Sequence, residues 1–385
     1  MNNSQKESEI KIGSSIFDSI VNSSDVAESL ARSDEQEDPS DQDSFIKLGK
    51  DAELKKHKAK ALKLYEQAIN ASPTSIEPYR LKALCLCKQG QLKEAINFIN
   101  QKINENFYVV DMICIKAQCY YQCHNKEKAL QLLEIALKKK KDHFESLILK
   151  SQCLLDLNDI ENSLSLVQHV SSIFPNHSKV LEMFGKIKEH QKQYKEAIEF
   201  YTKALSPKVY NKNDIYFHIG LCYQQMKEFK KAIETYEIIT KYESLSDVYL
   251  NIGKCYLELH QSKKAITNFD LCLVLSPSNE EALQYQIKAC KNVNDIDKIS
   301  QCYNKLITLE PNCIEGHIFL ARYYLHHNNI SEAFIYINKS KELIDKLDNQ
   351  NVKEIYISTI KSLEEEIDNQ KEKKSCQCSA VCIIY

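Results

Sequence analysis

The chain has 385 residues, with 51 basic and 53 acidic side chains and a formal net charge of −2, so no strong overall field draws it to nucleic acid. Only 7 Gly and 7 Pro occur among plentiful Lys, Glu, Ile, Leu and Asn, a balance that argues for a helical protein with brief connections. No apolar run approaches the roughly 20 residues of a membrane-spanning helix.

Residues 1–41 carry 10 acidic and 3 basic side chains, a net of −7, with only Ile16, Phe17, Ile20 and Val21 as a brief apolar cluster. Such a segment cannot bury enough surface to offset its ordering entropy, so a disordered acidic arm is expected. From Gln42 a 34-residue frame begins and holds its register with little drift. Its fullest copy is Ser246–Asn279. Counted from Ser246, that copy has Tyr249 at position 4, Ile252 and Gly253 at 7 and 8, and Tyr256 at 11. Ala265 follows at 20, Phe269 at 24, Cys272 at 27 and Pro277 at 32. Small residues at 8 and 20 let two antiparallel helices approach closely, aromatics fill the space beside them, and Pro277 ends the unit. This order resembles the tetratricopeptide repeat.

Nine copies span 42–347. Repeat 1 (42–75) has Leu48, Gly49, Ala61, Tyr65, Ala68 and Pro73, and repeat 2 (76–109) has Tyr79, Ala83, Gly90 and Ala95. Repeat 3 (110–143) has Ala117, Tyr120, Ala129 and Ala136. Repeat 5 (178–211) has Gly185, Ala197, Tyr201 and Ala204. After one extra residue, repeat 6 (213–245) gives Tyr216, Ile219, Gly220, Tyr223, Ala232 and Tyr236. Repeat 9 (314–347) has Leu320, Ala321, Tyr324 and Ala333. Repeat 4 (144–177) substitutes Ser151 and Ser163 for the small pair. Repeat 8 (280–313) substitutes Ile287 and Ile299, which implies either a wider helix separation or a local shift of frame. Four of the 7 glycines fall at position 8 and four of the 7 prolines at position 32, a sorting that chance periodicity would not produce.

Beyond the repeats, Val352, Tyr356, Ile360, Leu363 and Ile367 recur at helical spacing. They predict a helix over 348–372 that caps the array with a polar outer side. Residues 373–385 read as a flexible Cys-rich tail. Cys382-Ile-Ile-Tyr has the form of a prenylation box, with Tyr385 as an unusual final residue. Cys376 and Cys378 are candidate palmitate acceptors beside Lys371, Lys373 and Lys374, the second signal that stable anchoring needs.

There is no Gly-rich phosphate loop, no H-E-x-x-H and no C-x-x-C pair, so neither catalysis nor a cofactor is expected. Most of the 15 cysteines lie in amphipathic helical patterns and read as reduced core residues of a cytoplasmic protein. His124 lies near Cys119 and Cys123, but the frame places it in an inter-helix turn, and no metal site is expected.

In the family, the first helix of each repeat lines an inner groove. Position 2 is acidic in eight of the nine repeats, Asp43 to Glu315, with Lys179 the exception, as suits the positive end of a helix dipole. Position 9 is basic in the last three repeats: Lys254, Lys288 and Arg322, with Lys291 beside Lys288. Phe217, Leu221, Leu250, Leu257, Tyr285 and Ile318 accompany them as apolar groove positions. Apolar anchors beside a basic ladder suit a protein partner offering an acidic peptide segment; nucleic acid is not expected. The clamp by which some family members hold acidic chaperone C-termini is not matched. At its places stand Phe217, Leu221, Asn251, Glu281 and Tyr285, and only Asn251 agrees.

The expected fold is therefore all-α: a helix-turn-helix superhelical solenoid of nine repeats with a capping helix. The expected function is that of a non-enzymatic scaffold or adaptor holding a partner segment, tethered to a membrane surface if prenylated. The alternative is an architectural subunit of a large complex, of the ubiquitin-ligase or ciliary transport kind.

Overall fold

A computed structural model describes residues 41–381 except 55–56, 206–211 and 242–243; side chains are described as far as Lys371, apart from that of Leu54. The expected acidic arm, apart from Asp41, and Cys382 thus lie outside the described residues. The chain forms 19 helices among the described residues and no strand. It divides into two units, the first ending at Asn158 and the second beginning at Asp159.

The first unit holds α1 (Gln42–Leu54), α2 (Lys58–Ala71), α3 (Ile76–Lys88), α4 (Leu92–Asn104), α5 (Val109–Gln122), α6 (Lys126–Lys139) and α7 (Phe144–Asp156). The second opens with α8 (Ile160–Ile173), α9 (Ser178–His190), α10 (Tyr194–Ala204), α11 (Asn213–Gln225) and α12 (Phe229–Thr240). It continues through α13 (Ser246–Glu258), α14 (Ser262–Leu275), α15 (Glu280–Val293), α16 (Ile296–Leu309), α17 (Ile314–His326), α18 (Ile330–Asp345) and α19 (Gln350–Val381). Within each unit, successive helices pack against one another, and the first helices of some neighbouring repeats also touch, α3 with α5, α5 with α7, α9 with α11 and α13 with α15. The first helix of every repeat starts within one residue of the 34-residue frame.

One type of contact sets the helix separation. A Cβ added at Gly253 would stand 2.5 Å from Cε1 of Phe269, and one at Gly185 would stand 2.5 Å from Cε1 of Tyr201. Gly49 and Gly220 face Tyr65 and Tyr236 in the same way. The four rings are fully buried, as are Ala61, Ala95, Ala129, Ala197, Ala232, Ala265 and Ala333 at position 20. These close contacts are what the two small-residue columns exist to permit.

The turns reveal a third column that composition hides. Position 15 is left-handed in repeats 2 to 9: Gly90, His124, Asn158, Lys192, Lys227, His260, Asn294 and Asn328, with φ between 56° and 78°. In repeat 7 the His260 N–H donates to the Leu257 carbonyl at 2.9 Å, and the Gln261 N–H to the Tyr256 carbonyl at 2.9 Å. This double bond pattern satisfies the last carbonyls of the first helix and reverses the chain. His124 is therefore a turn residue, in the place the frame assigned to it. Asn294 occupies the same position in repeat 8, so the frame there is not shifted. Instead Ile287 and Ile299 are both buried. Beside them Gln286 donates to Asp270 at 2.6 Å, Lys298 pairs with Asp270 at 2.6 Å, and the Cys302 thiol donates to Gln286 at 3.0 Å.

The terminal helix buries Ile360, Leu363 and Ile367 against α17 and α18. Lys341 pairs with Glu364 at 2.6 Å, and Gln370 donates to the Leu325 carbonyl at 3.3 Å. Its backbone continues past the expected boundary at 372 to Val381, because no Gly or Pro interrupts that stretch. The expected flexible tail is thus helical in backbone over most of its length.

Candidate partner-binding groove

The groove-side residues of repeats 6 to 9 come from α11, α13, α15 and α17. Three predicted anchors are not available there. Leu250, Leu257 and Ile318 are only 5–8% exposed and belong to the apolar clusters between neighbouring repeats. Their side chains project from the first helix toward the adjacent repeat rather than into open space. Phe217 and Leu221 are half-buried, with the Phe217 ring 5.8 Å from that of Tyr236. Tyr285 is half-buried too, stacked on Phe269 at 6.1 Å.

The basic ladder is present but partly neutralised from within. Lys254 Nζ lies 2.7 Å from Glu281 Oε1 and 5.0 Å above the Tyr285 ring. Lys291 Nζ lies 2.9 Å from Glu315 Oε1 and 5.7 Å from the Tyr303 ring centre. The Tyr303 hydroxyl donates to the same Glu315 oxygen at 2.7 Å. Bonds from Lys291 and then Tyr303 hold the Glu315 carboxyl below its ordinary range. Glu281 and Glu315 are members of the position 2 column, so that column does more than complement helix dipoles: two of its members are counter-ions of the preceding repeat. Lys288 and Arg322 remain, both exposed and without an ion-pair partner among the described residues.

A second set of polar contacts lies where the two helices of a repeat meet. Tyr65 donates to Glu53 at 2.7 Å, Tyr201 to Glu189 at 2.7 Å, and Tyr236 to Gln224 at 3.2 Å. Each joins position 24 to position 12 of its own repeat. Glu53 also receives Lys88 at 2.7 Å, and Glu189 receives His218 at 3.0 Å, whose ring stacks on Tyr201 at 5.5 Å. Burial pushes the Glu189 carboxyl up, but His218 and Tyr201 together outweigh it and hold the group below its ordinary range. The signal was in the sequence. Position 24 is Tyr in repeats 1, 5, 6 and 8; position 12 is Glu or Gln in the first three, and Lys291 in repeat 8, where Tyr303 turns to Glu315 of the next repeat instead. Where position 24 is Phe269, Ile99, Val167 or Ile337, position 12 is Leu257, Cys87, Leu155 or Leu325; repeat 3 differs, with Leu133 at position 24 and Tyr121 at position 12.

Cys376 and Cys378 lie on the backbone of α19, and Lys371 rests 5.0 Å from the Phe334 ring centre. No helix among the described residues is long and apolar enough to cross a membrane, and those residues hold no cluster of three or more metal-ligating side chains.

A family model described as anaphase-promoting complex, cyclosome, subunit 3, matches residues 55–136 and 190–272. Among solved structures, the chain is similar to the APC/C hetero-tetramer Cut9-Hcn1, with 14% identity and a TM-score of 0.51. That match covers 80% of this chain and 60% of the other. A tetratricopeptide repeat protein from Parabacteroides merdae is 16% identical over 64% of this chain and 98% of its own, with a TM-score of 0.46. A human IFIT1 dimer with m7Gppp-AAAA is 15% identical over 87% of this chain and 90% of its own, with a TM-score of 0.49. No curated protein matches the chain in sequence. Helix pairs in a 34-residue frame, small-residue columns against buried rings and the fold shared with Cut9-Hcn1 lead to one conclusion: the chain has the all-α fold of stacked tetratricopeptide-type repeats.

Proposed function

We propose that the protein is a non-enzymatic interaction scaffold whose first helices in repeats 6 to 9 hold a segment of a protein partner. The observation that carries this reading is the pair Lys288 and Arg322. They occupy the same place on successive first helices, exposed and without counter-ions among the described residues, while Lys254 and Lys291 are already paired. The fitting segment sets one carboxylate against each and rests apolar side chains near Tyr285 and Phe217. The test is binding of a panel of fluorescent peptides, acidic and charge-neutral, to the full chain. Acidic members should bind more tightly, and Lys288→Ala with Arg322→Ala should weaken them at least about tenfold, or about 1.4 kcal/mol. Equal binding of all peptides, or no loss in the double variant, would defeat the reading.

A second reading, an architectural subunit of a large assembly, is favoured by the match to the anaphase-promoting complex subunit model. Sedimentation of the purified chain separates the two: a stable monomer supports the scaffold, an obligate oligomer the subunit. Tethering to a membrane surface is a separate part of the proposal, resting on Cys382, Cys376 and Cys378. Intact mass of the protein from a eukaryotic cytoplasm tests it, with an unmodified chain as the negative result.

A further inference from the structure

We propose that residues 8–41 are a further, incomplete repeat, and that its second-helix segment, 24–37, docks on the open side of α1. Among the described residues, the first helix of repeats 2 to 9 has the preceding second helix packed on it, whereas α1 has none. Position 7 faces that neighbour. Lys82 reaches Glu66 of α2 at 3.0 Å, Lys116 reaches Asn100 of α4 at 2.8 Å, and Gln286 reaches Asp270 of α14 at 2.6 Å. Where position 7 is aliphatic in these repeats it is covered: Ile219, Ile252 and Leu320 are at most 6% exposed. Leu48 holds the same position in repeat 1 and is 40% exposed. The docking side of α1 is thus complete in its residues and bare among the described ones.

The occupant is identified by the 34-residue frame. Carried back from Gln42, the frame gives 8–41, with Glu9 at position 2, Ser15 at 8, Asn22 at 15, Ala27 at 20 and Pro39 at 32. Those are the acidic, small, turn, small and proline columns of the other nine copies. With Pro39, five of the 7 prolines stand at position 32. The last residue of this copy is described and behaves as the frame requires. Asp41, at position 34, accepts the Ser44 N–H through Oδ1 at 2.8 Å, as Asn279 at the end of repeat 7 accepts the Ala282 N–H at 2.9 Å. Spacing agrees too. Four residues join α2 to α3 (72–75) and α14 to α15 (276–279), and 38–41 are the four between the segment and α1.

The copy is weaker than the others for a physical reason. Position 24 is Ala31, where repeats 1 and 7 bury Tyr65 and Phe269, and position 27 is Asp34, where they bury Ala68 and Cys272. Alone, such a segment buries too little apolar surface to order itself, so its order has to come from docking. Val26, Ala27, Leu30 and Ala31 recur at the spacing of one helical stripe and supply the apolar side that Leu48 lacks. The six acids between Asp25 and Asp38 suit the polar outer side that a terminal repeat needs.

Amide exchange of the full chain tests the docking. Residues 24–37 should exchange at least about tenfold more slowly than the same sequence as a free peptide, and equally so at low and high protein concentration. Leu48→Asp, at an already exposed position, should return them to the free-peptide rate and leave α3 to α7 unchanged. Ala27→Pro breaks the segment without altering α1 and should speed exchange in α1. Free-peptide exchange of 24–37 in the parent chain, protection that survives Leu48→Asp, or an α1 indifferent to Ala27→Pro would each overturn the proposal. Protection that grows with concentration would overturn it as well, by showing that the segment docks on a second copy. The parent chain and Ala27→Pro carry the result even where Leu48→Asp does not fold.

Discussion

Replacing Gly253 by alanine tests the packing rule on which the whole array rests. A Cβ built there lies 2.5 Å from Cε1 of Phe269 and 2.8 Å from both Cδ1 and Cζ, against about 3.5–4.0 Å for an ordinary carbon contact. The ring would have to withdraw by about 1 Å. It is fully buried and stacked on Tyr285 at 6.1 Å, so it cannot withdraw without displacing the next repeat. Overpacking of this kind costs roughly 1–3 kcal/mol, and the fixed surroundings put it near the upper end. Alanine recovers about 1 kcal/mol of helix propensity, leaving a net loss of about 2 kcal/mol. In a repeat array the loss is local. Amide exchange should therefore accelerate about 30-fold in α13 and α14, an effect equal to that free energy, while α1 and α2 stay unchanged. Phe269→Leu removes the obstructing ring edge. The double variant should thus be at least about 1 kcal/mol more stable than the two single losses predict. A Gly253→Ala variant as stable as the parent, or strictly additive losses, would refute the close-approach account.

Three further outcomes follow from other sites. At Gly90 no atom lies within 4 Å of an added Cβ, but φ is +78°; Gly90→Ala should cost about 1–2 kcal/mol in urea unfolding from backbone strain alone. Conversely, Lys227 holds φ 61°, and Lys227→Gly should stabilise α11 and α12 by up to about 1 kcal/mol, an unchanged or lowered midpoint counting against the turn assignment. Buried His143 lies 3.1 Å from Asp111, whose bond raises the imidazole to about 9. A raised folded value means the pair's stabilisation is fully present below about pH 6.5 and is lost as pH rises through about 9. The wild-type advantage over His143→Gln in the first unit, on the order of 2–3 kcal/mol at pH 6, should therefore shrink toward pH 10. A pH-independent difference would show that the pair is not charged.

The sequence by itself determined the element type, the 34-residue register and the two small-residue columns. Gly and Ala at positions 8 and 20 have one strong physical use in paired helices, and a helix's own period assigns each residue to a side of that helix. Residues such as Gly253, Ala265 and Phe269 were readable for that reason. The family resemblance placed the groove on the first helices, but which groove-side residues stay open depends on the neighbouring repeat. Helical period puts Leu250 and Leu257 on the same side as Lys254. Only the stacking of repeat 8 against repeat 7 decided that the leucines are covered while the lysine reaches Glu281. The pairings Lys254–Glu281 and Lys291–Glu315 join residues 27 and 24 positions apart, a separation that no single-helix pattern reports. The left-handed turn column was hidden for a different reason. Backbone bonds in the turn, not side-chain identity, satisfy the helix carbonyls, so Gly, His, Asn and Lys all serve there and leave no compositional mark.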